Sequence, residues 1–366
     1  MAATLGAVPR PPRPRGRLDP TVGKARAMVG GLLGLKTTGK KLQVEEPPLI
    51  LVGCSGGPDS LALAAVCAFF AHRGEVRVGA VVVDHQMQAG SAAVAQRTAA
   101  QLETMGLDPV VVRVVHLKDD GAGPEGAARA ARFAALDAAA QELGAKHVLL
   151  GHTMDDQAES VLLGLARGSG TRSLAGMRER RGIYLRPFLG LRRDETLAIC
   201  AALDLDPWHD PANQDPAYLR VRVRHNVIPQ LAAGLGPGVA ESLARSATIL
   251  GHDADLLDDL AAAKYHQLAQ VSAENGTLDS ICLPEEELRQ LPPALRTRVL
   301  ALAAVELGGV QPSLERLAAV QTLLLRKGSA GPVQLAGKVS AWRISRAQGV
   351  PQEGRGYGKL VLKRSS

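Results

Sequence analysis

The sequence predicts a doubly wound α/β domain, built on a parallel five-stranded sheet, followed by a smaller, mostly helical C-terminal domain. Three observations carry this. Short apolar runs of strand length alternate with longer helical patterns across residues 48–210. Glycine-bearing turns follow two of those runs, at the strand ends where sheets of this kind bind ligands. From about Val221 the alternation stops and helical patterning takes over.

In chain order, residues 1–20 contain Pro9-Arg10-Pro11-Pro12-Arg13-Pro14-Arg15. Such a stretch cannot bury a core and reads as a disordered basic leader. Residues 21–235 form the expected catalytic domain, opening with a short helix from about Pro20 to Leu35. Its strands are expected at 48–53, 77–83, 109–114, 147–150 and 183–186, with helices such as 126–143 and 156–166 between them. Gly234-Leu235-Gly236-Pro237-Gly238 then punctuates the chain. A helical domain is expected over 236–330, beginning with a long helix to about Tyr265, and a short basic segment of strands over 331–366.

The chain of 366 residues carries a net charge of +7. Basic side chains gather in three zones, 1–47, 165–193 and 316–366, and the last two hold one acid each, Glu179 and Glu353. Separate basic zones on a near-neutral body suit a polyanion larger than a nucleotide, such as RNA. The four cysteines stand far apart with no Cys-x-x-Cys, which argues against zinc, iron–sulfur and disulfide frameworks and fits a reducing cytoplasm. No apolar run approaches membrane-spanning length, and the N-terminus lacks the apolar core of a secretion signal.

The chemistry is concentrated in a few strings. Cys54-Ser55-Gly56-Gly57-Pro58-Asp59-Ser60 joins the apolar run Leu49–Val52 to an apolar helix. A strand, glycine turn and helix start place backbone N–H groups around an anion. Ser55 and Ser60 can donate hydroxyls, and Asp59 can hold a magnesium ion. No Gly-Lys-Ser/Thr follows, so this is not the phosphate loop of kinases and GTPases. Val83-Asp84-His85 ends the second strand, where it can line an adenine pocket or simply orient the turn. Glu125, Arg129 and Arg132 share one face of a helix, and Arg132 is the better candidate for neutralising phosphate or developing charge. Gly151-His152 leads into Asp156 and Glu159, whose spacings of four and three put His152, Asp156 and Glu159 on one side of a helix. Acids there also act as caps. Arg220, Arg222 and Arg224 alternate, pointing one way on a strand and diverging on a helix. Trp208 and Tyr218 can stack on a base or fill the core, and core is the expected place.

The string Ser55–Ser60 resembles the pyrophosphate-binding (PP) loop of the N-type ATP pyrophosphatases, with their adenine nucleotide α hydrolase-like fold. These enzymes split ATP between its α and β phosphates and adenylate a substrate oxygen. Val83–His85, Glu125–Phe133, Gly151–Ser160, Arg167–Met177, Arg186-Pro187-Phe188 and Trp208–Pro229 extend the likeness over roughly residues 48–235. Together they resemble the bacterial tRNA(Ile)-lysidine synthase family. The resemblance implies ATP and Mg2+ as cofactors, with L-lysine and a tRNA(Ile) bearing a CAU anticodon as partners. The wobble cytidine would be adenylated at its C2 oxygen, and the lysine ε-amine would then displace AMP. It further implies that Ser55, Gly56, Gly57, Pro58, Asp59 and Ser60 hold the ATP phosphates, Asp59 positioning the metal, with Asp84, His85 and Gly151 completing the nucleotide site. His152, Asp156 and Glu159 would border lysine and the base, one of them taking the amine proton, while Arg132 and Arg224 would contact phosphate or the intermediate. A homodimer is a possible assembly and the membrane is not a partner. Gln86-Met87-Gln88 departs from the family's usual Gly-Leu-Arg, and Thr153 and Met154 stand where polar residues or histidine are frequent. A tRNA thiolase on the same loop would generally carry Cys-x-x-Cys pairs, absent here, and a pure RNA-binding module would not require Asp59, His152, Asp156 and Glu159.

Overall fold

The computed structural model describes residues 18–38, 45–86, 90–116, 123–274, 277–325, 332–344 and 358–364. Residues 1–17 of the expected 1–20 leader and the Met87-Gln88 departure lie outside them, while Asp19 caps and Pro20 opens the first helix, so the leader's last residues are ordered by that helix start. The chain divides into two compact units, residues 1–249 and 250–366. Among the described residues no helix is long and apolar enough to cross a membrane.

The first unit runs α1 (Pro20–Leu33), β1 (Leu49–Gly53), α2 (Pro58–His72), β2 (Arg77–Asp84), α3 (Ser91–Thr104), β3 (Val110–Val114), α4 (Gly123–Leu143), β4 (His147–Leu150) and α5 (Met154–Ala166). There follow α6 (Thr171–Leu174), β5 (Arg180–Arg181), β6 (Tyr184–Leu185), α7 (Arg193–Ala202), α8 (Leu219–Arg222), a π-helical turn (Val223–Val227) and α9 (Ile228–Leu235). The strand order is β3-β2-β1-β4-β6-β5. The first five strands are parallel, and β5 adds an antiparallel edge to β6.

Period-2 alternation explains why the central strands read as unbroken apolar runs. Ile50, Val52, Val78, Ala80 and Val82 join one buried cluster with α1, α2, α3 and α7. Leu49, Leu51, Val81, Val148 and Leu150 join another with Leu136, Ala139 and Ala140 of α4. Both faces are covered, so every position must be apolar. Each fully buried Leu or Ile contributes roughly 1.5–3 kcal/mol. The sheet therefore holds rigid the carboxyl ends of β1, β2 and β4, where the site is built.

The second unit contains α11 (Glu285–Gln290), α12 (Pro293–Gly308) and α13 (Leu314–Leu325), and the dividing position falls within α10 (Val239–Leu268). It also holds a five-stranded sheet, β7 (Gln270–Glu274), β8 (Thr277–Pro284), β9 (Val333–Leu335), β10 (Val339–Ile344) and β11 (Lys359–Arg364), in the order β7-β8-β11-β10-β9. Here the structure differs from the expected partition into 236–330 and 331–366. Strand β8 pairs with β11, and Ile281, Val299, Val320 and Leu362 share one core. Edge strand β7 was not visible in the sequence because its Val271 stays exposed and supplies no buried alternation.

Candidate active site

Strand β1 ends at Gly53 and the chain turns through Cys54–Gly57 into α2. Gly56 adopts φ +81°, and a Cβ there would collide with the Thr98 hydroxyl, so the turn requires glycine. Ser60 ties it down. Its Oγ accepts the Ser55 N–H at 3.2 Å, donates to the Gly57 carbonyl at 3.0 Å and lies 3.3 Å from Ser55 Oγ. Pro58 has no N–H, and no side chain caps the helix start. The positive end of α2 is thereby left open toward the cleft, as anion binding requires. Gly151, leaving β4, passes so close that a Cβ would come within 2.8 Å of the Asp59 carbonyl oxygen.

Asp59 sits in the first turn of α2, beside a network of charges. Its Oδ1 accepts the Thr196 hydroxyl, and its Oδ2 lies 3.6 Å from Arg193 Nε. Arg193, opening α7, donates from Nη2 to Asp156 Oδ1 at 2.7 Å and reaches Glu159 Oε1 at 3.5 Å. Arg224, in the π turn, holds both oxygens of Glu159 at 2.7 and 3.2 Å and lies 3.5 Å from Asp156. Asp156 also closes a capping box on α5, its Oδ2 accepting the Thr153 N–H at 2.8 Å and the hydroxyl at 3.0 Å. Asp155 turns away to Arg192, whose Nη2 reaches it at 2.9 Å.

Three carboxylates (Asp59, Asp156, Glu159) thus face two guanidiniums, leaving one negative charge over. That charge falls on Asp59. Burial pushes its carboxyl up to about 6, with the Asp156 charge adding to the rise against the Thr196 hydrogen bond and Arg193. Glu159 is fully buried, and the two-pronged grip of Arg224 supplies partners for both of its oxygens. Asp156 is held below the usual carboxylate range: Arg193, the Thr153 backbone and His152 outweigh its burial.

The opposite wall is basic. Arg132 is pushed down to about 10 by burial and by the charges of Arg129 and Arg220. Burial lowers His152 to about 3, and Arg132, Arg186 and Arg129 outweigh the attraction of Asp156. Burial and Arg132 also lower His85. Both imidazoles are therefore neutral near pH 7. Arg132 Nε, His152 Nδ1 and His85 Nδ1 are buried without a hydrogen-bond partner, so this wall awaits ligand atoms. Two adjoining chambers of about 560 Å3 and about 530 Å3 share Ser55, His85, Arg132, His152, Trp208 and Arg224 in their lining.

The first chamber brings together Ser55, Gly57, Pro58, Asp59, Ser60, His85, Arg132, Gly151, His152, Asp156 and Arg224, and Asp84 lines the second. Gly56 and Glu159 line neither: Gly56 shapes the turn, and Glu159 lies behind Arg224 and Arg193. Asp84 Oδ1 accepts the Gln86 N–H at 2.9 Å and so orients the turn. Of the residues expected on one side of a helix, His152 precedes it, because Thr153 is the N-cap. Arg220, Arg222 and Arg224 diverge on helical backbone, toward Ser160, the Pro216 carbonyl and Glu159. Trp208 is not core. It lines both chambers, its backbone N–H donating to the Gly56 carbonyl at 2.9 Å. The Glu125 side chain lies outside what the structure describes. Sequence reasoning missed Arg193 and Thr196. The charged start Arg192-Arg193-Asp194-Glu195 was visible, but its contact with the Asp59 turn is made only by the fold.

A PP-loop domain model matches residues 35–231, and a TilS substrate binding domain model matches residues 283–349. The chain is 52% identical over 289 residues to the tRNA(Ile)-lysidine synthase of Leifsonia xyli subsp. xyli, covering 79% of this chain and 86% of that one. It is 45% identical over 322 residues to that of Streptomyces coelicolor, covering 87% and 86%. The Thermobifida fusca enzyme is 50% identical over 260 residues, covering 71% and 78%. Among solved structures, the U34-tRNA thiolase NcsA from Methanococcus maripaludis aligns with a TM-score of 0.51 at 18% identity, covering 63% of this chain and 80% of that one. That is a likeness of fold.

Proposed function

The chain belongs to the tRNA(Ile)-lysidine synthase family, ligases that use ATP to form lysidine on tRNA(Ile), and on that premise we propose how its cleft divides the work. The triphosphate lies over Ser55–Ser60, taking N–H groups from the turn and the first turn of α2. The wobble cytidine of a CAU anticodon enters beside Arg132 and His152. Its O2 attacks the α-phosphorus, the α–β bridging bond breaks, and pyrophosphate leaves. The lysine ε-amine then attacks C2, and the C2–O bond breaks to release AMP.

Magnesium fits this site as a guest shared with the nucleotide. Among the described residues, no three metal-binding side chains gather, so the protein alone builds no cage. Mg2+ is commonly held by one or two carboxylates together with substrate phosphates. Asp59, with its unneutralised charge at the phosphate turn, is the residue to hold it. When bound, the ion neutralises charge on the phosphates and the departing pyrophosphate.

The incoming ammonium is drawn to the Asp156 side of the cleft and must lose a proton before attack. Asp156 and Glu159 are engaged by guanidiniums, whereas His152 Nδ1 has no partner within the protein. His152 is neutral: burial chiefly, and the arginine charges next, hold its basicity down, and phosphates that neutralise Arg132 and Arg129 remove the second of these. We assign the proton transfer to it. Glu159 acts by fixing Arg224, which meets the phosphate of the adenylated base.

The observation that carries this reading is one cleft holding an open helix start, an unneutralised Asp59 and a neutral His152 under arginines. Incubation with α-labelled ATP, Mg2+ and tRNA(Ile), without lysine, tests it. Label should appear on the tRNA, and added lysine should release it as AMP. Chelation of magnesium should abolish the transfer. Lysidine formed with no labelled tRNA detectable under rapid quench, or ADP as the product, would contradict the reading.

A further inference from the structure

Arg129 and Arg132 at the cleft wall begin a run of arginines that continues, beyond what the mechanism uses, onto the outer edge of the sheet. Arg129, Arg132 and Arg220 line the second chamber. Arg186, buried at the end of β6, feels the charges of Arg129, Arg181 and Arg132. Arg180 and Arg181 form the exposed edge strand β5, opposite Leu185 and Tyr184 of β6.

An aromatic pair sets the hairpin against the helix that bears the cleft arginines. Tyr184 packs edge-on to Phe133 of α4, with ring centroids 5.0 Å apart, and its hydroxyl reaches Asp137 at 2.5 Å. The guanidinium of Arg129 lies over the same Phe133 ring at 5.1 Å and that of Arg132 at 5.6 Å. Arg180 is tethered to the Leu32 carbonyl at 3.1 Å. Among the described residues, no ion pair to a carboxylate is formed by Arg132, Arg180, Arg181 or Arg186. Packing like charges this closely is unfavourable without an anion to share. Arg129, Arg186 and Arg181 follow one another on the face of the sheet that α4 covers, while Arg180 turns to the α1 face. Such a succession matches a chain of phosphates more closely than any single small anion.

Resting on the synthase reading above, we propose that this run is the path of the substrate's phosphate backbone. Nucleotides flanking the target cytidine leave the cleft past Arg129 and cross the edge of the β5–β6 hairpin, where Arg181 on the α4 face and Arg180 on the α1 face contact phosphates on either side of the edge. The hairpin positions the loop, and the chemistry stays inside.

The test is tRNA(Ile) binding by the full-length protein across a salt series, comparing the parent, Arg180→Ala/Arg181→Ala and Arg77→Ala. Arg77 is also exposed but starts β2, three strands removed from the β5–β6 hairpin. Losing two phosphate contacts to single-stranded RNA should make the slope of log affinity against log salt shallower by about 1.4. The KM for tRNA should rise severalfold, with ATP affinity held. Arg77→Ala should match the parent. Equal slopes in parent and double variant would overturn the proposal, as would an equal loss in Arg77→Ala, which would reduce the effect to net charge. Unchanged tRNA binding with altered sedimentation would also overturn it and make the hairpin an interface between copies. A parent that binds tRNA but forms no lysidine would instead refute the synthase reading, and the binding slopes would still decide the path.

Discussion

At the scale of single residues, the site turns on a charge imbalance at Asp59. Two arginines satisfy Glu159 and Asp156 by direct contact, while Asp59 receives a hydroxyl and a more distant guanidinium. Its carboxyl stands near 6 against an ordinary 3.8. Below pH 3.8 both the folded and unfolded chains hold the proton. Between about 4 and 6 the unfolded chain releases it first, so stability falls as pH rises through that window. Above 6 the full cost is present, about 2–3 kcal/mol. Asp59→Asn carries no such charge. In magnesium-free urea unfolding, the stability of the variant relative to the parent should therefore grow by about that amount from pH 4 to pH 6 and then level off. A difference that does not vary with pH would show that Asp59 is not strained. The strain suits a group waiting for a cation.

Among the secondary-structure elements, the decisive contact is the exit of β4 against the start of α2. Gly151 passes within van der Waals contact of the Asp59–Ser60 peptide, and a methyl group there would sit 2.8–2.9 Å from backbone atoms. Backbone cannot swing aside as a long side chain can. Gly151→Ala should cost roughly 1–3 kcal/mol and weaken ATP binding more than tRNA binding, because it displaces the phosphate turn. Thermal melting and an ATP titration check both, and parent-like values in the two assays would contradict this packing account. The central strands and the helix after the loop were legible in the sequence, since burial on both faces leaves an unbroken apolar record. The π turn that aims Arg224 was not. Its Val-Arg-His-Asn-Val composition admits ordinary helix, and nothing local in it calls for the wider turn. Strand β7 was hidden for a different reason, since an edge strand facing solvent keeps no hydrophobic signature.

Over the whole molecule, the two units have separate cores and separate family matches, a PP-loop domain and a TilS substrate binding domain. Ser55–Ser60, Val83–His85 and Gly151–Ser160 were readable because each begins at a strand end, so topology alone gathers them at one edge of the sheet. Arg193 and Thr196 escaped notice because their partners are distant in sequence. Trp208 was misplaced because hydrophobicity cannot tell a cleft wall from a core. The measurement that tests the central claim most directly is transfer of labelled lysine to unmodified tRNA(Ile) with a CAU anticodon, in the presence of ATP and magnesium. The account predicts label stably joined to the tRNA, dependent on ATP, and lost when the wobble cytidine is replaced. No incorporation by a protein that still binds ATP and tRNA would contradict it.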